Sequence, residues 1–293
     1  MKIFSKISET TSYIRQQKDN GKTIGFVPTM GALHEGHLAL MKRAKQENDL
    51  LVVSIFVNPI QFNNQLDLEK YPRVFDEDVS LLKKIDTDIL FAPTTKEMYP
   101  EEVNKQYDFG ALGNVMEGAN RPGHFNGVAI VVSKLFDITI PHRAYFGEKD
   151  FQQLAIINKL VKIENTDIEI VPCKIVREED GLAMSSRNAR LTDNQRKLAP
   201  FIYKVLQNAG KYAGKKSVVE LKNWVEIQFK DKDEFSLEYF EISDSVDLQP
   251  ITNWNEVEVA MGFIVVNMGK VRLIDNIRLF NNFADSNNGN KYR

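Results

Sequence analysis

Hydrophobic positions in the first part of the chain follow two alternating periods. Leu51–Val57 (LVVSIFV) is almost unbroken apolar sequence, the pattern of a strand buried on both faces. Lys22–Val27, Asp88–Phe91, Arg143–Phe146 and Ile168–Val171 are shorter β-prone runs. Between them apolar residues recur at helical spacing: Leu38, Met41 and Ala44; Phe75, Val79 and Leu82; Leu154, Ile157 and Val161. Val128–Phe136 is ambiguous by period, but its length and the spacing of Val128, Val131 and Leu135 favour a helix. Short strands separated by helical segments predict βαβ crossovers, hence an α/β fold with a parallel sheet and helices on both faces. Such a sheet binds ligands beyond the carboxyl ends of its strands, near the point where strand order reverses.

The pattern changes near Val176. Thr192 followed by Gln195 is a capping-box signature, and the helix it opens carries Leu198, Ile202, Val205 and Ala209. Pro200 is expected to kink that helix. Ser217 and Glu220 repeat the signature ahead of Leu221, Trp224 and Val225. Phe235–Ser243, Val257–Val266 and Val271–Ile277 read as strands, the last two joined across Asn267–Lys270. Two domains are therefore expected, 1–176 and 177–293, the second a small α+β domain. The polar tail from Asn281 onward is expected to fray.

Composition narrows the function classes. The 293 residues carry 38 Lys and Arg against 40 Asp and Glu, a formal net charge of -2. A protein that tracks a nucleic-acid backbone carries a basic excess, so no nucleic-acid partner is expected. The single cysteine, Cys173, precludes an intrachain disulfide framework and points to a reducing, cytoplasmic compartment. The N-terminal sequence has no apolar core of a secretory leader, and Leu50–Val57 is far shorter than the ~20 residues of a membrane helix.

Four segments carry candidate chemistry. In TIGFVPTMGALHEGHLALMKRAK, residues 23–45, a strand passes through a turn containing Gly31 and Gly36 into a helix starting near Glu35–Gly36. Glycines there allow close approach of a backbone to a ligand, and a helix N-terminus offers N–H groups to an anion. His34 and His37, three apart, suit a polyphosphate by neutralising charge on phosphoryl oxygens. A surface helix cap is the competing reading. A zinc ion is disfavoured, since it needs three or four ligands and the remaining pool of His124, His142, Cys173 and carboxylates holds no second paired motif. The glycines and the preceding strand tilt the pair toward phosphate. GLAMSSRNARL, residues 181–191, reads as a loop whose Ser185, Ser186 and Arg187 could grip phosphate or simply form a polar connection. In AYFGEKDFQQL, Lys149 ends a strand where it can reach phosphate, and Asp150 either caps a helix or takes a ribose hydroxyl. In VNPIQF, Asn58 and Gln61 form a neutral amide pair suited to a small polar molecule. His124 and His142 read as structural.

The motifs PTMGALHEGH, FVNPIQF, RPGHFNGV, YFGEKDFQQL and MSSRNARL, in this order from about Thr23 to Leu191, resemble those of the pantothenate synthetases (pantoate–β-alanine ligases). The histidine and serine–basic loops are similar to those of the wider nucleotidyltransferase superfamily. The resemblance implies a Rossmann-like nucleotide-binding catalytic domain and a C-terminal domain closing the active site. It implies an ATP-dependent condensation of pantoate with β-alanine through a pantoyl adenylate, releasing AMP and pyrophosphate. The implied ATP contacts are Met30, Gly31, Ala32, Leu33, His34, Glu35, Gly36, His37, Gly147, Glu148, Lys149, Asp150, Val176, Met184, Ser185, Ser186 and Arg187. His37 is the implied catalytic residue, whether as a proton donor or by electrostatic stabilisation. Gln61 is implied at pantoate and β-alanine, and Gln153 at pantoate. No protein metal ligand is expected; Mg²⁺ arrives through the phosphates of ATP. The family suggests a homodimer. Asn126 stands at a position expected to be basic in many relatives, which would soften a phosphate or inter-element contact. The rival enzyme, a nucleotidyltransferase acting on a phosphate-bearing substrate, would need more cations than Asn58, Gln61 and Gln153 supply.

Overall fold

The computed structural model describes residues 1–63 and 65–282, the Leu66 side chain excepted. They form two compact units, one of Met1–Glu148 with Gln152–Val176, the other of Lys149–Phe151 with the chain from Arg177 onward. The expected tail beyond Asn282 lies outside the described residues.

The first unit is built on six parallel strands: β1 (Lys2–Phe4), β2 (Ile24–Thr29), β3 (Leu50–Ile55), β4 (Ile89–Phe91), β5 (Arg143–Gly147) and β6 (Glu169–Cys173). Their spatial order is β1-β4-β3-β2-β5-β6. Side chains alternate across each strand, so consecutive residues serve opposite layers. Val27, Leu51, Val53, Leu90 and Tyr145 pack with Leu38, Met41 and Ala44 of the helix Glu35–Glu47. Phe26, one residue before Val27, turns the other way and meets Phe136 of the helix His124–Thr139 edge-on at 6.3 Å. Helices thus cover both faces, which is why strands such as β3 read as unbroken apolar sequence.

The strand order reverses at β2. From it the chain steps outward through β3 and β4, then returns to lay β5 on the other side. Phe26 stands opposite Ala144 in parallel register, so Thr29 and Gly147 finish at the same edge of the sheet. The turn after β2 and the turn after β5 therefore share the switch point, where α/β sheets hold their ligands.

One close approach shapes this edge. Gly127, in the helix His124–Thr139, lies against the short 3₁₀ turn Pro59–Gln61 that follows β3. A methyl group at Gly127 would overlap the Ile60 carbonyl and stand 2.8 Å from the Gln61 Cα.

The second unit pairs β7 (Ser236–Asp244), β8 (Val259–Met268) and β9 (Val271–Asn281) in an antiparallel sheet. Met268 and Val271 face each other across the expected turn. Both capping boxes are present, Thr192 with Gln195 and Ser217 with Glu220. The helix expected to kink at Pro200 is instead two helices, Asp193–Leu198 and Phe201–Tyr212. Proline has no N–H to continue the ladder, and the chain restarts its hydrogen bonding after it. Ser186–Arg190, expected as loop, forms a 3₁₀ turn with Ser185 as its N-cap. β1 carries no sequence signal: two of its three residues are exposed.

Gly127→Ala is expected to lower stability by about 1–3 kcal/mol through overpacking against a backbone carbonyl. Thermal or denaturant midpoints measure it, and an unchanged midpoint would contradict the close packing.

Candidate active site

The turn between β2 and the helix Glu35–Glu47 is held in an uncommon backbone conformation. Gly31 has φ +81° and Ala32 φ +50°. For Ala32 that left-handed region is unfavourable, so something else must fix it. The fixing group is Asp78, a carboxylate only 1% exposed. Its Oδ2 accepts from Ala32 N at 2.9 Å and its Oδ1 from Leu33 N at 2.8 Å. Gly31 lies so close that a Cβ there would stand 2.9 Å from Asp78 Oδ2. Burial pushes the Asp78 carboxyl above the usual carboxylate range, and the two N–H donors oppose that shift.

The histidines follow at once. His34 is the N-cap of the helix, and its Nδ1 accepts from Gly36 N at 3.2 Å. His37 Nδ1 accepts in turn from His34 N at 3.4 Å, and the two rings lie 4.0 Å apart. A neutral imidazole has one donor and one acceptor nitrogen. With both Nδ1 atoms accepting, the ring protons reside on Nε2, and each ring presents an Nε2–H donor edge. Of the backbone N–H groups at this helix end, that of Gly36 is taken by His34 Nδ1.

A second set of polar groups ends β3. Tyr99 donates its hydroxyl to Asn58 Oδ1 at 2.9 Å. Burial pushes the Tyr99 phenol well above its ordinary value, so it stays a protonated donor. Asn58 Nδ2 then donates to Gln61 Oε1 at 3.0 Å and to Gly127 O at 3.1 Å. Gln61 Nε2 points to Met30 Sδ at 3.2 Å, on the turn after β2. Asn58, expected at a small substrate, is 1% exposed and acts as the holder of Gln61. A cavity of about 300 Å³ opens at the carboxyl ends of β2, β3 and β4, lined by Met30, Gly31, Phe56, Val57, Arg73 and Asp78 among others.

The remaining expected residues are distributed as follows. Gly147 and Glu148 close β5, half-buried, in the first unit, where Val176 also lies. Lys149 and Asp150 belong to the second unit, as do Met184, Ser185, Ser186 and Arg187. Ser185 Oγ accepts from Arg187 N at 3.2 Å, which shapes the turn and leaves its O–H a donor. Gln153 is half-buried, whereas Gln152 is buried and bonded to Leu112 O, Val115 O and Glu117 N. His124 Nδ1 meets the Gln61 carbonyl at 2.8 Å, and His142 Nδ1 accepts from Ile24 N at 2.9 Å. Burial, with Lys18 and Arg143 nearby, lowers the His142 pKa. Both histidines serve the fold. Asn126 ties the 105–107 segment, accepting from Tyr107 N and donating to Lys105 O. Cys173 is buried, and burial raises its thiol pKa. Among the described residues no group of three His, Cys, Asp or Glu side chains could hold a metal, and no helix is long and apolar enough to cross a membrane.

Strand order, the shared edge of β2 and β5, and a histidine-bearing turn at the switch point define a nucleotide-binding α/β protein of the Rossmann-like class. Comparison with known proteins narrows this. The family described as pantoate-beta-alanine ligase matches residues 2–278. A pantothenate synthetase of Phocaeicola vulgatus is 53% identical over 279 residues, covering 95% of this chain and 99% of the relative. That of Christiangramia forsetii is 50% identical, covering 96% and 100%. The crystal structure of pantothenate synthetase from Thermus thermophilus superposes with a TM-score of 0.89 at 42% identity, covering 96% and 100%. The Francisella tularensis pantoate-beta-alanine ligase, solved with beta-gamma ATP and beta-alanine, gives 0.80 at 39%, covering 95% and 97%. The chain belongs to the pantoate–β-alanine ligase family.

Asp78 and Tyr99 escaped the sequence reading. Asp78 sits in the acidic opening of the helix Phe75–Lys84, where carboxylates ordinarily favour a helix N-terminus from solvent. Asp78→Ala would leave two N–H groups without their acceptor, a loss of about 2–5 kcal/mol. Hydrogen exchange at Ala32 and Leu33 should accelerate; unchanged exchange there would contradict the anchoring role.

Proposed function

We propose that this chain joins pantoate to β-alanine with consumption of ATP, through an enzyme-bound pantoyl adenylate. A pantoate carboxylate oxygen attacks the α-phosphorus of ATP. The bond from that phosphorus to the bridging oxygen breaks, and its electron pair leaves with pyrophosphate. The β-alanine amine then attacks the activated acyl carbon. The bond to the AMP oxygen breaks, and the nitrogen gives up a proton as the amide forms.

The observation that carries this reading is the histidine pair with both Nδ1 atoms committed to the main chain. Departing pyrophosphate gathers negative charge, and N–H donors fixed before the reaction stabilise it without reorganising. His37 is the catalytic residue in this reading, acting by charge stabilisation. Because pyrophosphate leaves readily once its charge is neutralised, a proton transfer from His37 is not required. Nucleotide contacts are assigned to the loop from Met30 to His37, to Gly147, Glu148, Lys149 and Asp150, to Val176, and to Met184 through Arg187. Gln61 is assigned to pantoate and β-alanine. Its Oε1 already accepts from Asn58, so its NH₂ is the group offered, which suits carboxylate and hydroxyl oxygens. Gln153 is assigned to pantoate. Mg²⁺ enters on the phosphate oxygens of ATP. The family resemblance supports a homodimer, and a single cysteine, too few for a disulfide framework, supports a reducing, cytoplasmic compartment.

Purified protein given all three substrates should form AMP, pyrophosphate and the amide in equal amounts; ADP and phosphate as products would overturn the reading. His37→Ala should lower kcat by about 10²-fold or more while the KM for ATP moves less than about threefold. Equal losses in both would count against a transition-state role.

A further inference from the structure

Strand β9 contains two buried polar residues side by side, Asp275 at 6% and Asn276 at 4% exposure. A carboxylate and an amide on a strand in a small sheet are costly to bury unless bonded. Asp275 is held bidentate by Arg177, at 2.6 Å from Nη1 and 2.9 Å from Nη2. The Arg177 guanidinium stacks on the Tyr203 ring at 3.6 Å, and Nη1 also donates to Gly181 O at 3.2 Å. Asp275 Oδ1 accepts from Asn276 N at 2.8 Å. The Asn276 side chain extends these bonds to a distant segment: its Nδ2 donates to the main-chain carbonyl of Lys149 at 3.0 Å. Two residues on, Phe151 packs edge-on against Phe263 of β8, ring centres 5.7 Å apart. These contacts are why Lys149–Phe151, which follows β5 in sequence, belongs to the second unit.

We propose that Asn276 is a positioning residue that fixes the backbone of Lys149, and that the Tyr203–Arg177–Asp275 stack holds Asn276 in place for that purpose. The same guanidinium grips Gly181, the start of the segment carrying Met184, Ser185, Ser186 and Arg187. One buried ion pair therefore sets the main chain at the two sequence-distant segments of this unit to which nucleotide contacts are assigned. The inference rests on the reading of Lys149 as a nucleotide contact. A hydrophobic pair of similar volume would fill the site as well, whereas removing one partner of the ion pair leaves a buried charge uncompensated.

The test is a double-mutant cycle in the full-length enzyme, with Asn276→Ala, Lys149→Ala and the pair. kcat and KM are measured separately for ATP, pantoate and β-alanine, beside the thermal midpoint. Asn276→Ala should lower kcat/KM for ATP by about 10- to 10²-fold, as a misplaced group does, with the KM for pantoate and β-alanine within about twofold. In the Lys149→Ala background it should cost nothing further, because the residue it positions is already gone. Multiplicative losses in the pair, or a wild-type kcat/KM for ATP in Asn276→Ala, would overturn the positioning role while leaving Lys149 intact as a contact. A wild-type Lys149→Ala would overturn the nucleotide reading and the proposal with it. Should Asn276→Ala fail to fold, Asn276→Asp keeps the volume and removes the donor, and carries the same cycle.

Discussion

The buried carboxylate of Asp78 holds the left-handed turn at Gly31–Ala32, and the geometry of the site follows from that constraint. Without a double acceptor at this point, Ala32 would relax toward an ordinary backbone conformation. The first turn of the helix Glu35–Glu47 would then shift, together with the two imidazoles that cap it. Strain at the turn is thus balanced by two charge-assisted hydrogen bonds, and the donor edges of His34 and His37 are set before any ligand arrives.

The sheet explains why this turn matters. β2 is the strand at which the connections change direction, so its exit shares an edge with the exit of β5. The turn after β3 joins the same region through Gln61 and Met30, and Gly127 lets a helix approach closely enough to share Asn58. Two connections from this sheet edge thereby carry groups of different chemistry, imidazole donors and a primary amide. Within the second unit, Lys149 is held by β9 through Asn276.

Much of this was legible in the residues. The unbroken apolar run of β3 and the three-and-four spacing of Leu38, Met41 and Ala44 reflect burial on both faces of a sheet, and burial is what hydrophobic patterning reports. The histidine spacing and Gln61 stood out because they interrupt apolar sequence at strand ends. Other features left no such trace. β1 pairs through its backbone while exposing most of its side chains, so nothing alternates. Asp78 looks like its solvated neighbours Asp76 and Glu77, and only the turn folding back onto it makes it different. Asp275 and Asn276 read as polar positions of a half-exposed strand, yet both are buried because partners distant in sequence bond to them. Asn58 is legible as a polar group at a strand end, but whether its amide meets substrate or another amide depends on Tyr99, distant in sequence.

The adenylate is the step on which the proposed reaction turns, and it can be isolated by leaving out the amine. Isotope exchange between ATP and pyrophosphate, measured with the purified protein in the absence of β-alanine, reads that step alone. Exchange that appears only when pantoate is added is the predicted result. Exchange that is indifferent to pantoate, or no exchange from protein that makes the amide when β-alanine is supplied, would contradict it.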